Sequence, residues 1–129
     1  MIIGLGLDIS QMERIEKYLE RFGPRFINRV CTANEAREME RFTNPKTLAQ
    51  NLAGRISAKE AASKALGTGL SGGVHWKCFE VAHEPSGRPV LRSFGVAAQR
   101  MAQMGVRNVS LSITHDAGVA AAVVIFEGD

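Results

Sequence analysis

Between Asn44-Pro45 and Gly67-Thr68-Gly69 runs a stretch, Lys46 to Leu66, with no proline and a single glycine, Gly54. Leu48, Leu52, Ala53, Ile56, Ala62 and Leu66 fall at helical spacing within it, so the pattern predicts one long helix. A proline at its start and glycines at its end are the usual punctuation of such an element. The chain has 129 residues, one domain's worth, so residues 1–129 are expected to form a single domain arranged around this helix.

The flanking segments divide cleanly. Ile2 to Leu7 is short, apolar and punctuated by Gly4 and Gly6, which reads as a buried first strand ending at Asp8. Ser10 and Glu13 match a capping box, with Met12, Ile15, Leu19 and Phe22 on one stripe of the helix that follows. Gly23-Pro24 breaks that helix, and a short helical piece continues to Val30. Thr32 and Glu35 form a second capping box, predicting a helix over 33–42. After the long helix the chain turns to strand. Cys78 to His83 alternates, Pro85-Ser86-Gly87-Arg88-Pro89 connects it to Val90–Arg92, and Ser93 stands where it could cap a helix running to Met104. Val109 to Thr114 has one polar face, and Asp116-Ala117-Gly118 turns into Val119–Phe126. A turn that short implies antiparallel pairing, so the expected class is α+β, an antiparallel sheet covered by helices.

Charge and composition narrow the functional classes. Sixteen Lys and Arg against thirteen Asp and Glu give +3, a mild bias toward anionic partners. Eleven arginines suggest nucleic acid, yet one Trp and one Tyr offer few stacking surfaces and the basic residues are interleaved with acids, which disfavours it. No segment approaches the ~20 apolar residues of a membrane span. The opening MIIGLGLD lacks a basic segment and reaches Asp8 at once, unlike a signal peptide. Cys31 and Cys78 show no metal-ligand spacing, which fits a reducing cytoplasm better than a disulfide.

Four features could carry chemistry. Asp8 ends an apolar strand; an acid there is commonly a turn or cap residue, but it is also a carboxylate held rigidly, suited to a hard cation. Glu60 and Lys64 share a helix face. Such pairs are ordinarily solvated and worth a few tenths of a kcal/mol, yet this one is set among Ala58, Ala61, Ala62, Ser63 and Ala65. Glu60 can ligate a metal, and Lys64 can hold a phosphate oxygen. The Gly67-Thr68-Gly69 loop could let backbone N–H groups approach an anion. His115 ends the polar-faced strand; a lone histidine is more often structural or solvated.

Taken in order along the chain, these pieces resemble the holo-acyl-carrier-protein synthases, the small type of 4′-phosphopantetheinyl transferase. Ile3 to Ile9, the run Leu52 to Gly69 with its Lys-Glu-x-x-x-Lys-Ala core at Lys59–Ala65, Gly87-Arg88-Pro89 and Ser112-Ile113-Thr114-His115 carry the likeness. One departure is Ile56, where the family usually has an aromatic, and a packing difference is expected there. The resemblance implies transfer of the 4′-phosphopantetheine arm of coenzyme A to a serine of apo acyl carrier protein, for fatty acid biosynthesis, with release of adenosine 3′,5′-bisphosphate. It implies Mg²⁺ on Asp8 and Glu60, and catalysis by Asp8, Glu60 and Lys64. Lys64 would sit on the pyrophosphate, while Arg55, Gly67, Thr68, Gly69, Pro89 and His115 would hold the rest of coenzyme A. Glu60 through a water, and a hydroxide on the cation, are both open to take the serine proton. Arg14, Arg21, Arg25 and Arg29 would dock the acidic carrier protein, although Glu13, Glu16 and Glu20 among them equally describe a solvated face. A homotrimer with sites between subunits is also implied. The competing reading is a non-enzymatic nucleotide- or nucleic-acid-binding module.

Overall fold

A computed structural model of the chain describes residues 1–129. The first strand, β1 (Ile2–Gln11), leads into helices α1 (Met12–Phe22), α2 (Pro24–Val30) and α3 (Ala33–Met39). The long helix α4 (Pro45–Leu66) follows, then a hairpin of β2 (Phe79–His83) and β3 (Pro89–Ser93). Helix α5 (Gly95–Met104) and strands β4 (Asn108–Asp116) and β5 (Val119–Glu127) complete the chain. The strands form two antiparallel sheets, one ordered β1-β5-β4 and the other the β2–β3 pair, so the class is α+β, with the expected sheet divided in two.

Helix α4 is the axis of the core. Ala58, Ala61, Ala62 and Ala65 meet Leu111, Val124 and Phe126 of the three-stranded sheet, while Ala49, Leu52, Ala53 and Ile56 meet Ile15, Val30 and Met39 from α1–α3. Being buried on nearly every side, α4 needs small residues so that neighbouring backbones can come close. Gly6 shows how close: a Cβ there would lie 1.7 Å from the Ala61 carbonyl oxygen. Gly4 is similarly pressed, with 2.6 Å to the Ala65 oxygen. The two β1 glycines are therefore contact points for α4 rather than strand punctuation.

Several boundaries differ from the sequence expectation, each because a tertiary partner intervenes. β1 continues past Asp8 because β5 pairs with it as far as Gln11–Val119. Ser10 is therefore a strand residue, and α1 has no side-chain cap. The Thr32–Glu35 capping box is present, but its helix stops at Met39. Ser93 caps nothing; it pairs with Phe79 in the hairpin, and Phe94 takes the cap position of α5. In β2 the alternation fails at Glu80, which is buried and accepts a bond from the Thr32 hydroxyl at 2.5 Å.

The sheet face turned away from α4 is bare. Leu5, Leu7 and Ile9 are 61%, 59% and 63% exposed, and their register partners Ile125, Val123 and Ala121 continue the apolar surface across β5. No helix is long and apolar enough to cross a membrane.

Candidate active site

The contact of β1 with α4 brings three of the expected residues together. Asp8 points from β1 toward α4 and is buried, while Lys64 reaches back from α4. The Lys64 ammonium donates to the Asp8 Oδ1 at 3.1 Å and to the Leu7 carbonyl at 3.0 Å. The Ser57 hydroxyl donates to Ser10 Oγ at 2.7 Å, and Ser10 donates to Asp8 Oδ2 at 3.4 Å, holding the carboxylate from its other side. Glu60, one helical turn before Lys64, lies within hydrogen-bonding reach of Asp8. Burial, then the shared hydrogen bond with Asp8 and the charge of Asp8, push the Glu60 carboxyl up to about 7, against the pull of Lys64 and Arg14.

Two acids driven together this way form a donor set with a stated need. Their oxygens are hard ligands, and their mutual repulsion is relieved by a proton or by a cation. No group of three or more His, Cys, Asp or Glu side chains is assembled as a metal cage. Two carboxylates fit Mg²⁺, which keeps waters and takes phosphate oxygens for the rest of its shell.

A cleft of about 490 Å³ opens beside Glu60, walled by Ile9, Ile15, Tyr18, Phe26, Ile56 and Trp76, with Arg14 also lining it. It shares Tyr18 and Phe26 with a groove of about 430 Å³ whose other walls are Phe22, Arg25 and Arg29. Arg21 packs over the Phe22 ring, 5.2 Å from its centroid. Ile56, the position expected to differ in packing, is buried against this cleft opposite Trp76.

Arg55, Pro89 and His115 gather elsewhere, around a cleft of about 200 Å³ that Asn51, Gly54, His83 and Gly87 also line. His115 Nε2 lies 3.0 Å from the Gln50 carbonyl, an approach that Gly54 permits, since a Cβ there would meet His115 Nε2 at 3.0 Å. Asn51 to Glu60 and Arg55 to Lys64 are each nine residues along α4. At about 100° per residue that is half a turn out of phase. Asp8 lies on β1 and His115 on β4, the two opposite edges of the sheet. The two groups therefore face away from one another across α4.

Arg55 is 3% exposed and bonded to Glu35, Glu38, Asn51 and the Val81 carbonyl. One expectation needs correction: the backbone N–H groups of Gly67, Thr68 and Gly69 are not an open anion cradle. They donate to the Lys64 and Ser63 carbonyls and close the C-terminus of α4.

Sequence reasoning missed the group behind Arg55. Glu35 is wholly buried and accepts from Lys59 at 2.5 Å, from Arg55 at 3.2 Å, and from the backbone N–H of Thr32 and Val81 at 3.0 Å each. Burial works to raise its pKa, but the Lys59 charge and these hydrogen bonds outweigh it and hold the carboxyl below the usual 4.5. The signal was half present, since the capping box fixed Glu35 at a helix start. Cys31 and Cys78 are free and buried, and burial followed by the Glu35 charge pushes the Cys31 thiol up to about 11.

Known proteins place this architecture. The family model of the 4′-phosphopantetheinyl transferase superfamily matches residues 4–124. A holo-(acyl-carrier-protein) synthase of Solibacter usitatus is 44% identical over 127 residues, covering 98% of this chain and 99% of that protein. The holo-(acyl-carrier-protein) synthase structure from Neisseria meningitidis superposes with a TM-score of 0.86 at 33% identity, covering 98% of this chain and 99% of that one. The one from Bacillus anthracis, in complex with CoA (3′,5′-ADP), gives 0.84 at 35% identity, covering 100% of this chain and 99% of that one. Sequence and fold agree over essentially the full length, and the chain belongs to the 4′-phosphopantetheinyl transferase superfamily, among the holo-(acyl-carrier-protein) synthases.

Proposed function

We propose that this chain transfers the 4′-phosphopantetheine group of coenzyme A to a serine hydroxyl of apo acyl carrier protein, with Mg²⁺ held by Asp8 and Glu60, releasing adenosine 3′,5′-bisphosphate. The observation that carries this reading is the convergence of Asp8, Glu60 and Lys64 where β1 meets α4. The serine oxygen forms a bond to the phosphorus bearing the pantetheine arm. The bridging P–O bond breaks, and its electron pair leaves on the adenosine bisphosphate. Lys64 meets the charge that grows on the pyrophosphate oxygens. Glu60 takes the serine proton through an intervening water. Mg²⁺, when bound, supplies further neutralisation of the phosphate oxygens. Ser10 and Ser57 hold the Asp8 carboxylate in orientation.

The cleft of Asn51, Arg55, Pro89 and His115 takes the phosphorylated nucleotide of coenzyme A. Because this cleft and the carboxylates face away from each other across α4, one site draws its two halves from neighbouring copies. The bare apolar face of Leu5, Leu7 and Ile9 supports a homotrimer built on the sheets. The groove of Tyr18, Phe22, Arg25, Phe26 and Arg29 suits an acidic carrier protein, because its apolar floor is rimmed by arginines and leads to Glu60. Two free buried thiols support a cytoplasmic setting. A nucleotide- or nucleic-acid-binding module would leave the Asp8–Glu60 pair without a task.

The test is the mass of apo acyl carrier protein after incubation with this chain, coenzyme A and Mg²⁺. The expected result is addition of one phosphopantetheine group, abolished by EDTA and restored by Mg²⁺ or Mn²⁺. Full transfer in metal-free buffer would count against the assignment of Asp8 and Glu60.

A further inference from the structure

Arg55 has five N–H donors, and its partners differ in kind. Nη1 donates to Glu35 Oε2 at 3.2 Å and to the Val81 carbonyl at 2.8 Å, and Nε donates to Asn51 at 3.0 Å. Those acceptors hold the guanidinium from the protein side. Nη2 instead donates to Glu38 Oε2 at 2.7 Å, and the Glu38 side chain is 36% exposed. Glu38 lies in the last turn of α3, on the wall of a second cleft that meets the Arg55 cleft at Val81 and His83.

The charge balance is equally particular. Arg55 and Lys59 are two buried cations that share the single buried carboxylate of Glu35. Glu38 supplies the second negative charge at the solvent edge of this group. A phosphate arriving at Arg55 offers the same compensation, so Glu38 and the phosphate compete for one guanidinium.

We propose that Glu38 is a built-in competitor for Arg55, a positioning residue that occupies its outward amino group in the free protein and opposes the phosphate that binds beside it. Glu38 then sets how tightly the nucleotide is held and how readily the bisphosphate product leaves. This rests on the Arg55–His115 cleft being the nucleotide half of the site.

The test uses the whole protein and adenosine 3′,5′-bisphosphate as the probe, measured by calorimetry. Glu38→Gln keeps an oxygen acceptor for Arg55 and removes only the charge. Glu20→Gln, on α1, makes the same change in net charge at a distance. Glu38→Gln is expected to bind the bisphosphate about threefold to tenfold more tightly and to gain more thermal stabilisation from it than the parent protein does. Its KM for coenzyme A falls by a similar factor while the KM for the carrier protein holds, and Glu20→Gln binds like the parent. Circular dichroism confirms that both variants are folded. Unchanged or weaker binding by a folded Glu38→Gln overturns the proposal, because Glu38 would then only brace Arg55. If the parent binds no bisphosphate, or if His115→Ala binds it undiminished, the cleft is not the nucleotide half, and the underlying reading falls together with the proposal.

Discussion

Gly6 decides more of the site than its single hydrogen suggests. With the Ala61 oxygen 1.7 Å from where a Cβ would stand, it lets the carboxylates of β1 and α4 meet. The three residues that meet there are each expected to be indispensable. Asp8→Ala, Glu60→Ala and Lys64→Ala should each lower turnover by about 10²–10³ with the circular dichroism spectrum retained, and near-parental rates in all three would place the chemistry elsewhere. Protonation competes with metal at the same oxygens. Since the Glu60 carboxyl sits at about 7, it is mostly neutral below that pH and anionic above it. Mn²⁺ affinity, followed by electron paramagnetic resonance, should fall by about tenfold per pH unit below 7 and level off above 8; a flat profile would remove Glu60 from the ligand set. The Glu60–Lys64 pair was legible because a spacing of four is a local property, and Asp8 stood out as the acid closing an apolar run, although its strand runs on to Gln11. The 67–69 loop was misjudged because its N–H donors are consumed by the end of α4, and the partners of Arg55, Glu35 and Val81 among them, could not be read because only the folded chain brings them near.

At the scale of elements, Glu35 ties α3 to α4 and β2 with a single carboxylate. Glu35→Ala should cost about 3–5 kcal/mol in urea unfolding, because it strands two buried cations. The pH dependence has a fixed sign. The folded pKa lies below the usual 4.5, so the stabilisation is complete above the unfolded value and is lost as pH falls through the folded one. The urea midpoint should therefore decline on acidification below pH 4.5, and a midpoint as high at pH 3 as at pH 6 would contradict the role given to Glu35. The α1–α2 pair makes a different prediction. Arg14 lines the cleft beside Glu60, so its reversal would mix docking with catalysis; Arg25 and Arg29 line only the outer groove. Reversing both to Glu should raise the KM for the carrier protein severalfold, with that for coenzyme A unchanged, and added salt should imitate the change through screening over roughly 10 Å at 0.1 M. Equal weakening toward coenzyme A would assign those arginines to the donor instead. Element identities were readable because Gly23-Pro24, Asn44-Pro45 and Gly67 act within a turn or two. The ends of β1 and α5 were not, since Ser10 and Ser93 are fixed by cross-strand partners that outcompete a local cap.

For the molecule as a whole, the exposed row of Leu5, Leu7 and Ile9 is a surface that a lone chain gains nothing by keeping. Sedimentation equilibrium should give three times the 14.0 kDa chain mass, and an active monomer would refute the shared site. Nothing in composition or periodicity announced this, because an outward strand residue reads the same whether water or another subunit covers it. The opposed faces of α4 carry a genetic consequence. In the proposed shared site, a chain spoiled at Asp8 would still lend its neighbour a sound nucleotide cleft, and a chain spoiled at His115 would still lend sound carboxylates. Two impaired proteins, Asp8→Ala and His115→Ala, should rescue each other when unfolded together and refolded as a mixture. Every mixed ring of the proposed trimer would contain one junction at which both halves are intact. At equal proportions and random assembly, about a quarter of the parental activity should return at limiting coenzyme A, from two alleles that are each severely impaired alone.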